Sequence, residues 1–506
     1  MRVKNSLLNI IYSLSSTAII AVLQFVVRTI FIRFLSVEYL GINSLFASIL
    51  QMLSLAELGV GTAIIFSLYK PLLNDHTEQI KNLMKLYQKI YMTIGGVILL
   101  IGVILSFFID RLVSTNVEIN LQAIFILFLI NTSFTYFFGY KRSLIKADQK
   151  AYLLVPFTTI FLIMTKCLQL VVLIKTGNYY LFLVIEPLLR LIENIVINKY
   201  IEKKYPYLKE KPKEKLPDET KKEIVINTKA MVYHKLGDYV LNGTDSILIS
   251  SFIGIWIVGL YANYLLIISV VSKFVRLILN SVTSSFGNLI AEGDEEKKVQ
   301  VFLTFNFVAF WLLSWSAICL FILLDPFITL WLGEEFLLGT STIILIVINF
   351  YLTSMRIPIA IVKSTSGIYN QDKFLPIGQS VLNLFFSFLL VRDFGLNGIF
   401  MGTLISSILP SIYRPVIVYK YALKGSIKVY FYKFSQYALV TMLVAFIANQ
   451  MSYILFTEVS WINFIIMALI CLIIPNVIII IFFYKTAEFK KIINILGSVK
   501  KKVNNR

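Results

Sequence analysis

Twelve charged side chains lie inside the long apolar runs of this chain, where a hydrocarbon environment would make each of them costly. Charged groups that persist at membrane depth usually face a cavity or a partner, so each one is a candidate for function. They comprise seven cations and five carboxylates: Arg28, Lys166, Arg190, Lys235, Lys273, Arg276, Arg356, Glu57, Glu186, Glu193, Asp238 and Asp245.

Three of these cations have no acidic residue in their own helix that could neutralise them. Arg28, Lys166 and Arg356 have no acid three or four residues away, the spacing at which side chains of one helix meet. Cations from separate helices that share one cavity would suit a substrate that carries phosphates, because a guanidinium binds phosphate bidentately. We therefore predict that these three side chains form a phosphate-binding set.

The role of a fourth cation, Arg190, is left open by the sequence. Glu186, Arg190 and Glu193 are spaced i, i+4 and i+7, so they share one face of a helix. Arg190 is either neutralised within that helix or a further member of the phosphate-binding set.

Two of the carboxylates are candidates for coupling to an ion. A desolvated carboxylate can cycle a proton, or it can bind a cation together with neighbouring oxygens. Asp245 follows Asn242 and Thr244, which supply such oxygens. Glu57 precedes a run rich in small residues, where helices approach closely, so a packing hydrogen bond is its alternative role.

The elements that must position these residues are transmembrane helices. Hydrophobic residues make up 58% of the chain, and its mean hydropathy is +0.80. Continuous apolar runs of this length cross a ~30 Å hydrocarbon core as helices, whereas barrel strands would be short and alternating. We predict an all-α integral membrane protein with fourteen spans at 9–32, 41–69, 90–109, 119–140, 153–174, 178–198, 232–253, 257–283, 302–324, 338–361, 375–391, 396–413, 434–455 and 461–484.

The basic residues orient these spans. Of the 47 Lys and Arg residues, 36 fall in every second gap between the runs, while Arg33, Arg111, Lys175 and Arg392 fall in the intervening gaps. Cytoplasmic loops carry the excess of Lys and Arg, so both termini of this multi-pass protein of the cell membrane are expected in the cytoplasm. The net charge of +19 then faces membrane lipid, and no nucleic-acid partner is expected.

An internal repeat divides the chain. Residues 34–41 and 252–259 both run from a Phe to a Gly seven positions later, at an offset of 218, and the sixth and twelfth spans also start 218 apart. Transporters are often built from such repeats. We predict two pseudo-symmetric six-helix lobes, 1–198 and 232–433, joined by a cytoplasmic linker, 199–231. An extra helix pair at 434–484 and a basic cytoplasmic tail at 485–506 follow.

The sequence contains no recognisable catalytic signature. The sequence has no P-loop, no Cys/His metal-ligand spacing and no G-x-S-x-G elbow. The longest outward loop, 325–337, is too short to form a catalytic domain, which argues against a membrane glycosyltransferase or polymerase. We expect no catalytic residue, no metal and no cofactor.

Several motifs resemble those of a known family. They are the run Ala56 to Ala63 (AELGVGTA), the run Leu68 to Leu72 (LYKPL), the run Asp245 to Ser250 (DSILIS) and the run Gly259 to Tyr264 (GLYANY). Together they resemble bacterial polysaccharide flippases of the multidrug/oligosaccharidyl-lipid/polysaccharide exporter superfamily. That superfamily also contains lipid II flippases and multidrug antiporters.

The resemblance implies a V-shaped pair of lobes around a cationic cavity that passes a polyprenyl-diphosphate-linked oligosaccharide to the outer leaflet by alternating access. Arg28 resembles, by location, a first-helix cavity arginine of the lipid II branch, and Lys166, Arg190 and Arg356 would bind the diphosphate with it. Na⁺ or H⁺ would couple at Asp245, with Asn383, or at Glu57. A cation-coupled multidrug antiporter is the alternative. Antiporters commonly couple through a first-helix acid, and residues 9–32 contain none.

Overall fold

The computed structural model describes residues 2–57, 60–113, 115, 117–213, 243–292, 294–368, 370–455 and 458–504. Across these residues the protein is helical and contains no strand, which confirms the predicted all-α membrane class. The chain divides into two compact units, Met1–Gly259 and Leu260–Arg506. Most of the predicted linker, 214–231, and the start of the predicted seventh span, 232–242, lie outside the described residues.

The first unit consists of ten helices among the described residues, followed by the start of an eleventh. They are α1 (Arg2–Phe34), α2 (Val37–Leu53), α3 (Val60–Leu73), α4 (Thr77–Ser106), α5 (Ile109–Leu112), α6 (Leu121–Gly139), α7 (Arg142–Ala147), α8 (Val155–Thr176), α9 (Tyr179–Lys204) and α10 (residues 243–252). Short 3₁₀ turns lie at Ser54–Glu57, Ala151–Leu153 and Pro206–Lys209.

The second unit consists of the remaining described helices, and α11 enters it from the first unit. They are α11 (Ile255–Asn280), α12 (Thr283–Glu292), α13 (Glu295–Trp331), α14 (Thr340–Ser354), α15 (Ile357–Thr365), α16 (Leu375–Phe394), α17 (Leu396–Val418), α18 (Ile427–Leu455), α19 (Trp461–Phe483) and α20 (Ala487–Asn504). 3₁₀ turns lie at Glu334–Phe336 and Asn370–Asp372, and a π-turn at Tyr419–Leu423.

Eleven helical stretches of the described residues are long and apolar enough to cross a membrane. The other three predicted spans differ for identifiable reasons. The run 41–69 is broken by the 3₁₀ turn Ser54–Glu57 into α2 and α3. α9 carries three charges in its central part, and the run 232–253 is described only from residue 243. The total of fourteen therefore stays a prediction.

The element bounds repeat at the offset found in the sequence. α2 and α11 begin at Val37 and Ile255, and α4 and α13 begin at Thr77 and Glu295. The glycines that end α8 and α16, Gly177 and Gly395, both have positive φ and are also 218 residues apart. Glycine adopts positive φ without the steric cost that a Cβ atom adds, which favours this residue type at both helix ends. The predicted lobe boundaries themselves stay a prediction.

α2 and α11 cross through two glycines of this repeat. A Cβ atom at Gly41 would lie 2.1 Å from the carbonyl oxygen of Ile255, and one at Gly259 would lie 2.3 Å from the carbonyl oxygen of Val37. Gly41 of α2 therefore packs against Ile255, the first residue of α11, and Gly259 of α11 packs against Val37, the first residue of α2. The contact is reciprocal and depends on the absence of a side chain at both positions.

The last two spanning helices pack on α13 of the second unit. Ile318 and Ile322 of α13 form a buried cluster with Val444, Ala448 and Cys471. Two tryptophans of α13 add hydrogen bonds to α19, in which Trp311 donates to Asn476 at 2.7 Å and Trp315 donates to the carbonyl of Cys471 at 3.0 Å.

Candidate functional site

Two of the predicted phosphate-binding cations lie on neighbouring parallel helices. α1 and α8 run in the same direction, since their contacts follow in the same order along both segments: the Tyr12 ring lies 6.3 Å from that of Tyr152, just before α8, and Ser16 hydrogen-bonds Thr159 at 2.8 Å. At 1.5 Å per residue, Arg28 then lies about 18 Å and Lys166 about 10 Å beyond the Ser16 contact. The two cations are half-buried and differ in depth by about 8 Å.

Lys166 has an acidic neighbour that its own helix does not supply. Its Nζ lies 3.5 Å from Oε2 of Glu186 on α9 and donates to Oε1 of Gln169 at 2.8 Å. Asn131 of α6 donates to the other oxygen of Glu186 at 3.3 Å. Gln169 is fully buried and donates to the carbonyl of Phe182, so the ion pair rests on a fixed polar support. The Lys166 side chain remains 24% exposed.

Arg190 pairs within its own helix, as one of the two interpretations predicts. Its Nη1 donates to Oε2 of Glu193 at 3.1 Å, and the Arg190 side chain remains 36% exposed. Glu193 is buried and also accepts from Arg142 at 3.0 Å, and Arg142 donates to Asn194 at 2.8 Å. Burial lowers the pKa of Arg142 from its ordinary value, and Glu193 opposes that shift, so the guanidinium stays charged.

These charged residues form two ion-pair clusters that meet on α9, one of Lys166 with Glu186 and one of Arg142 and Arg190 with Glu193. We call the two clusters together the polar network. It holds three cations against two carboxylates, and it extends over α7, α8 and α9. Sequence reasoning missed Arg142 because this residue falls in a gap between apolar runs, where a basic residue signals only topology. Its burial depends on the fold of the short helix α7 against α9.

Glu57 lies at the break between α2 and α3, surrounded by tyrosines. Tyr91 donates to its Oε1 and Tyr136 donates to its Oε2 at 3.4 Å. The rings of Tyr87 and Tyr91 meet edge to face with their centroids 4.3 Å apart. A Cβ at Gly61 would meet the Tyr91 hydroxyl at 2.6 Å, so the small residue makes room for this cluster. Irregular backbone at membrane depth is tolerated where it is enclosed by protein or lines a cavity.

The remaining predicted residues are placed as follows. Asp245 lies on α10, which packs closely on α2, since a Cβ at Gly243 would lie 2.7 Å from Met52. In the second unit, Arg356 lies at the break between α14 and α15, and buried Asn383 donates to Thr403 at 2.9 Å. Arg28, Lys166 and Asp245 belong to the first unit, whereas Arg356 and Asn383 belong to the second. The joint phosphate site of Arg28, Lys166 and Arg356 therefore stays a prediction, and so does the ion site of Asp245 and Asn383.

The second unit contains an apolar cavity of about 380 Å³ between α13, α14 and α18. Ile318, Val347 and Met442 are among its apolar walls, and Thr441 and Asn449 are among its few polar ones. The Thr441 hydroxyl is already engaged, because it hydrogen-bonds Ser314 at 2.6 Å. The cavity therefore presents a surface suited to hydrocarbon.

The chain has the fold of membrane transporters of the MOP superfamily, seen in three solved structures that share 15–16% identity with it. The lipid II flippase MurJ, in an inward closed conformation, matches with a TM-score of 0.65 over 94% of this chain and 99% of its own. A multidrug resistance MATE family transporter, in an inward-facing conformation, matches with a TM-score of 0.62 over 80% of this chain and 96% of its own.

A MOP superfamily transporter from Pyrococcus furiosus matches with a TM-score of 0.55 over 84% of this chain and 97% of its own, and its description names a binding pocket of reverse polarity. A family model described as "polysaccharide biosynthesis protein" matches residues 6–284, more than half of the chain. The chain belongs to this polysaccharide biosynthesis family, as its motifs predict. No curated protein sequence matches it.

Proposed function

We propose that this protein is a flippase that moves a polyprenyl-diphosphate-linked oligosaccharide from the cytoplasmic to the outer leaflet of the cell membrane. The oligosaccharide serves the synthesis of a surface polysaccharide such as a capsule or an exopolysaccharide. Both termini lie in the cytoplasm, and transport proceeds by alternating access. Family membership supports the pathway, and the fold supports transport.

The observation that carries this proposal is the surplus of positive charge in the polar network. Lys166 and Arg190 each contact a carboxylate, yet their side chains remain 24% and 36% exposed. Both therefore keep donors for a ligand, since an ammonium has three and a guanidinium five. Arg28, on the helix next to Lys166, adds a third cation for a diphosphate, and Arg356 is the fourth predicted one.

The apolar cavity of the second unit supports the lipid half of the substrate. A polyprenyl chain buries apolar surface, which stabilises it by roughly 25 cal/mol per Å² removed from water. The ring of apolar residues between α13, α14 and α18 offers such a surface without a charged side chain in its lining. The proposed substrate has both features that these surfaces suit, because it carries a diphosphate and a long hydrocarbon chain.

Ion coupling is proposed at the acids of the first unit. Glu57 accepts hydrogen bonds from two phenols, and a carboxylate at membrane depth is a candidate site for a proton or a Na⁺ ion that is exchanged during the cycle. Asp245 is the second candidate, with Asn383 as its partner. A cation-coupled multidrug antiporter on the same fold is the alternative, and the lack of any acid in residues 9–32 disfavours it.

Leaflet exchange in reconstituted vesicles tests this function. A labelled polyprenyl-diphosphate saccharide is added to proteoliposomes, and a membrane-impermeant reagent measures its outer-leaflet fraction over time. We expect exchange that depends on the protein and is absent from empty vesicles. The proposal is wrong if no exchange occurs under a Na⁺ gradient, a proton gradient or a membrane potential. Uptake of a cationic dye in the same vesicles would support the antiporter instead.

A further inference from the structure

A second basic site lies at the polar end of α4, away from the membrane-depth network. A pocket of about 230 Å³ opens where the first turns of α4, the end of α6 and the segment after α9 converge. Its lining contains five lysines, which are Lys81, Lys85, Lys141, Lys209 and Lys211. This face is the one that the basic-residue pattern predicts to be cytoplasmic.

Ion pairs fix the walls of this pocket. Lys81 is buried, and its Nζ contacts both Glu78 of the same helix and, at 3.0 Å, Glu210 after α9. The backbone N–H of Lys213 donates to Glu78 at 3.0 Å, so the segment after α9 is tied to α4 twice. Lys141 is held on the opposite side by Glu202 of α9. The pocket is therefore shaped before any ligand arrives.

The charge of the pocket is positive after these ion pairs are counted. Its five lysines face Glu210 in the lining and Glu78 and Glu202 as ion-pair partners, which leaves an excess of two positive charges. Lys85, Lys209 and Lys211 belong to no ion pair among the described residues, and all three are exposed. These three ammonium groups are available to an anion.

From this geometry we infer that the pocket is an accessory phosphate-binding site. Lysine binds phosphate as a compact point charge, and basic pockets at a membrane face attract anionic headgroups. An anion with about two negative charges matches the excess. The phosphate belongs either to a lipid headgroup or to a free phosphate compound. Its binding ties α4 to the segment that leads into the linker, and this site is independent of the proposed transport function.

The test measures ligand binding to the purified full-length protein through its thermal midpoint, because a ligand that binds only the folded state stabilises it. In the arm that tests for a free phosphate compound, inorganic diphosphate is titrated into the protein in detergent. The lipid arm compares nanodiscs that contain phosphatidylglycerol with nanodiscs of phosphatidylcholine alone. Lys85→Gln/Lys209→Gln is the pocket variant. Lys89→Gln/Lys203→Gln, two exposed lysines of α4 and α9 outside the pocket, is the matched control.

We expect the pocket variant to weaken binding about tenfold or more, and the control variant to bind like wild type, because two charge-assisted contacts are lost only in the former. A response in the diphosphate arm identifies a free phosphate compound, and a response confined to the phosphatidylglycerol arm identifies a lipid. Equal binding by wild type and pocket variant in both arms overturns the inference. Lys166→Gln/Arg190→Gln should keep the part of the diphosphate response that the pocket variant loses, because the polar network is a separate site.

Discussion

Equivalent helices of the two units have different interiors. Charged residues of α8 and α9 form ion pairs in the first unit, while the positions 218 residues later, on α16 and α17, are apolar or neutral. The paired positions are Lys166 and Leu384, Glu186 and Leu404, Arg190 and Ile408, and Glu193 and Ser411. The buried ion cluster of the second unit involves other positions, because Asp372, in the 3₁₀ turn before α16, contacts Lys363 of α15 at 2.6 Å and Arg414 near the end of α17 at 3.5 Å.

This difference separates what the fold requires from what a function requires. α16 and α17 pack closely through apolar, hydroxyl and amide side chains, among them Asn383 and Thr403, with no ion pair between the two helices among the described residues. The polar network of the first unit therefore has another reason to exist. Charge at membrane depth is costly, and its retention in one repeat but not in the other favours a ligand-binding role.

The largest expected effect comes from removing the carboxylate at the centre of the polar network. Glu193→Leu removes the buried carboxylate that two half-buried cations, Arg142 and Arg190, share. Loss of one partner of a buried ion pair typically costs about 3–5 kcal/mol in the free energy of unfolding. Ser411→Leu, at the equivalent position of α17, should change it by less than about 1 kcal/mol. Denaturant unfolding in detergent measures both changes. Equal losses of unfolding free energy would show that the two units do not differ in their dependence on this position.

A second prediction uses the contact at which the repeats are alike. Gly41→Ala and Gly259→Ala each place a methyl group against a backbone carbonyl of the opposite helix. Overpacking of this kind costs typically 1–3 kcal/mol, and because the contact is reciprocal the two variants should lose similar amounts. Gly96→Ala is the control, since nothing lies within 4 Å of its Cβ position and alanine favours a helix. Thermal midpoints that fall for only one of the pair would contradict the reciprocity.

The smallest expected effect belongs to the neutral polar contacts of the second unit. Thr441→Val removes the hydroxyl that hydrogen-bonds Ser314, and a neutral hydrogen bond contributes about 1 kcal/mol. The free energy of unfolding should therefore fall by roughly a third of the Glu193→Leu loss or less. A loss as large as that of Glu193→Leu would show that the second unit depends on its polar contacts as strongly as the first.

Much of the fold could be predicted because it depends on local sequence. Apolar run length gave the helices, and the two Phe-to-Gly segments gave the offset of 218 that the helix starts follow. The break at Ser54–Glu57 was not predicted, because residues 41–69 are uniformly apolar and a 3₁₀ turn needs no special composition. The structure reveals this break together with the tyrosines that contact Glu57.

The candidate site was predictable in its members but not in its contacts. The spacing of Arg190 and Glu193 anticipated their ion pair, since both lie on one helix. The spacing also allowed Glu186 to neutralise Arg190, yet the ion pair of Glu186 is with Lys166, which is 20 residues away in the sequence. Tertiary packing of α8 on α9 brings these two together, and single-helix spacing carries no information about it.

The most direct test of the central claim compares two pairs of cations in the leaflet-exchange assay. Lys166→Gln/Arg190→Gln removes charge from the polar network, and Arg33→Gln/Lys175→Gln removes two exposed cations at the ends of α1 and α8. Charge-assisted hydrogen bonds contribute about 1.5–3 kcal/mol each, so exchange of the diphosphate-linked substrate should fall at least about tenfold in the first variant.

The control should stay within about twofold of wild type, as expected for surface positions. Lys166→Arg/Arg190→Lys, which keeps both charges, should retain most of the activity, and this separates charge from folding. Wild-type exchange in Lys166→Gln/Arg190→Gln, with the protein intact and monodisperse, would contradict the account.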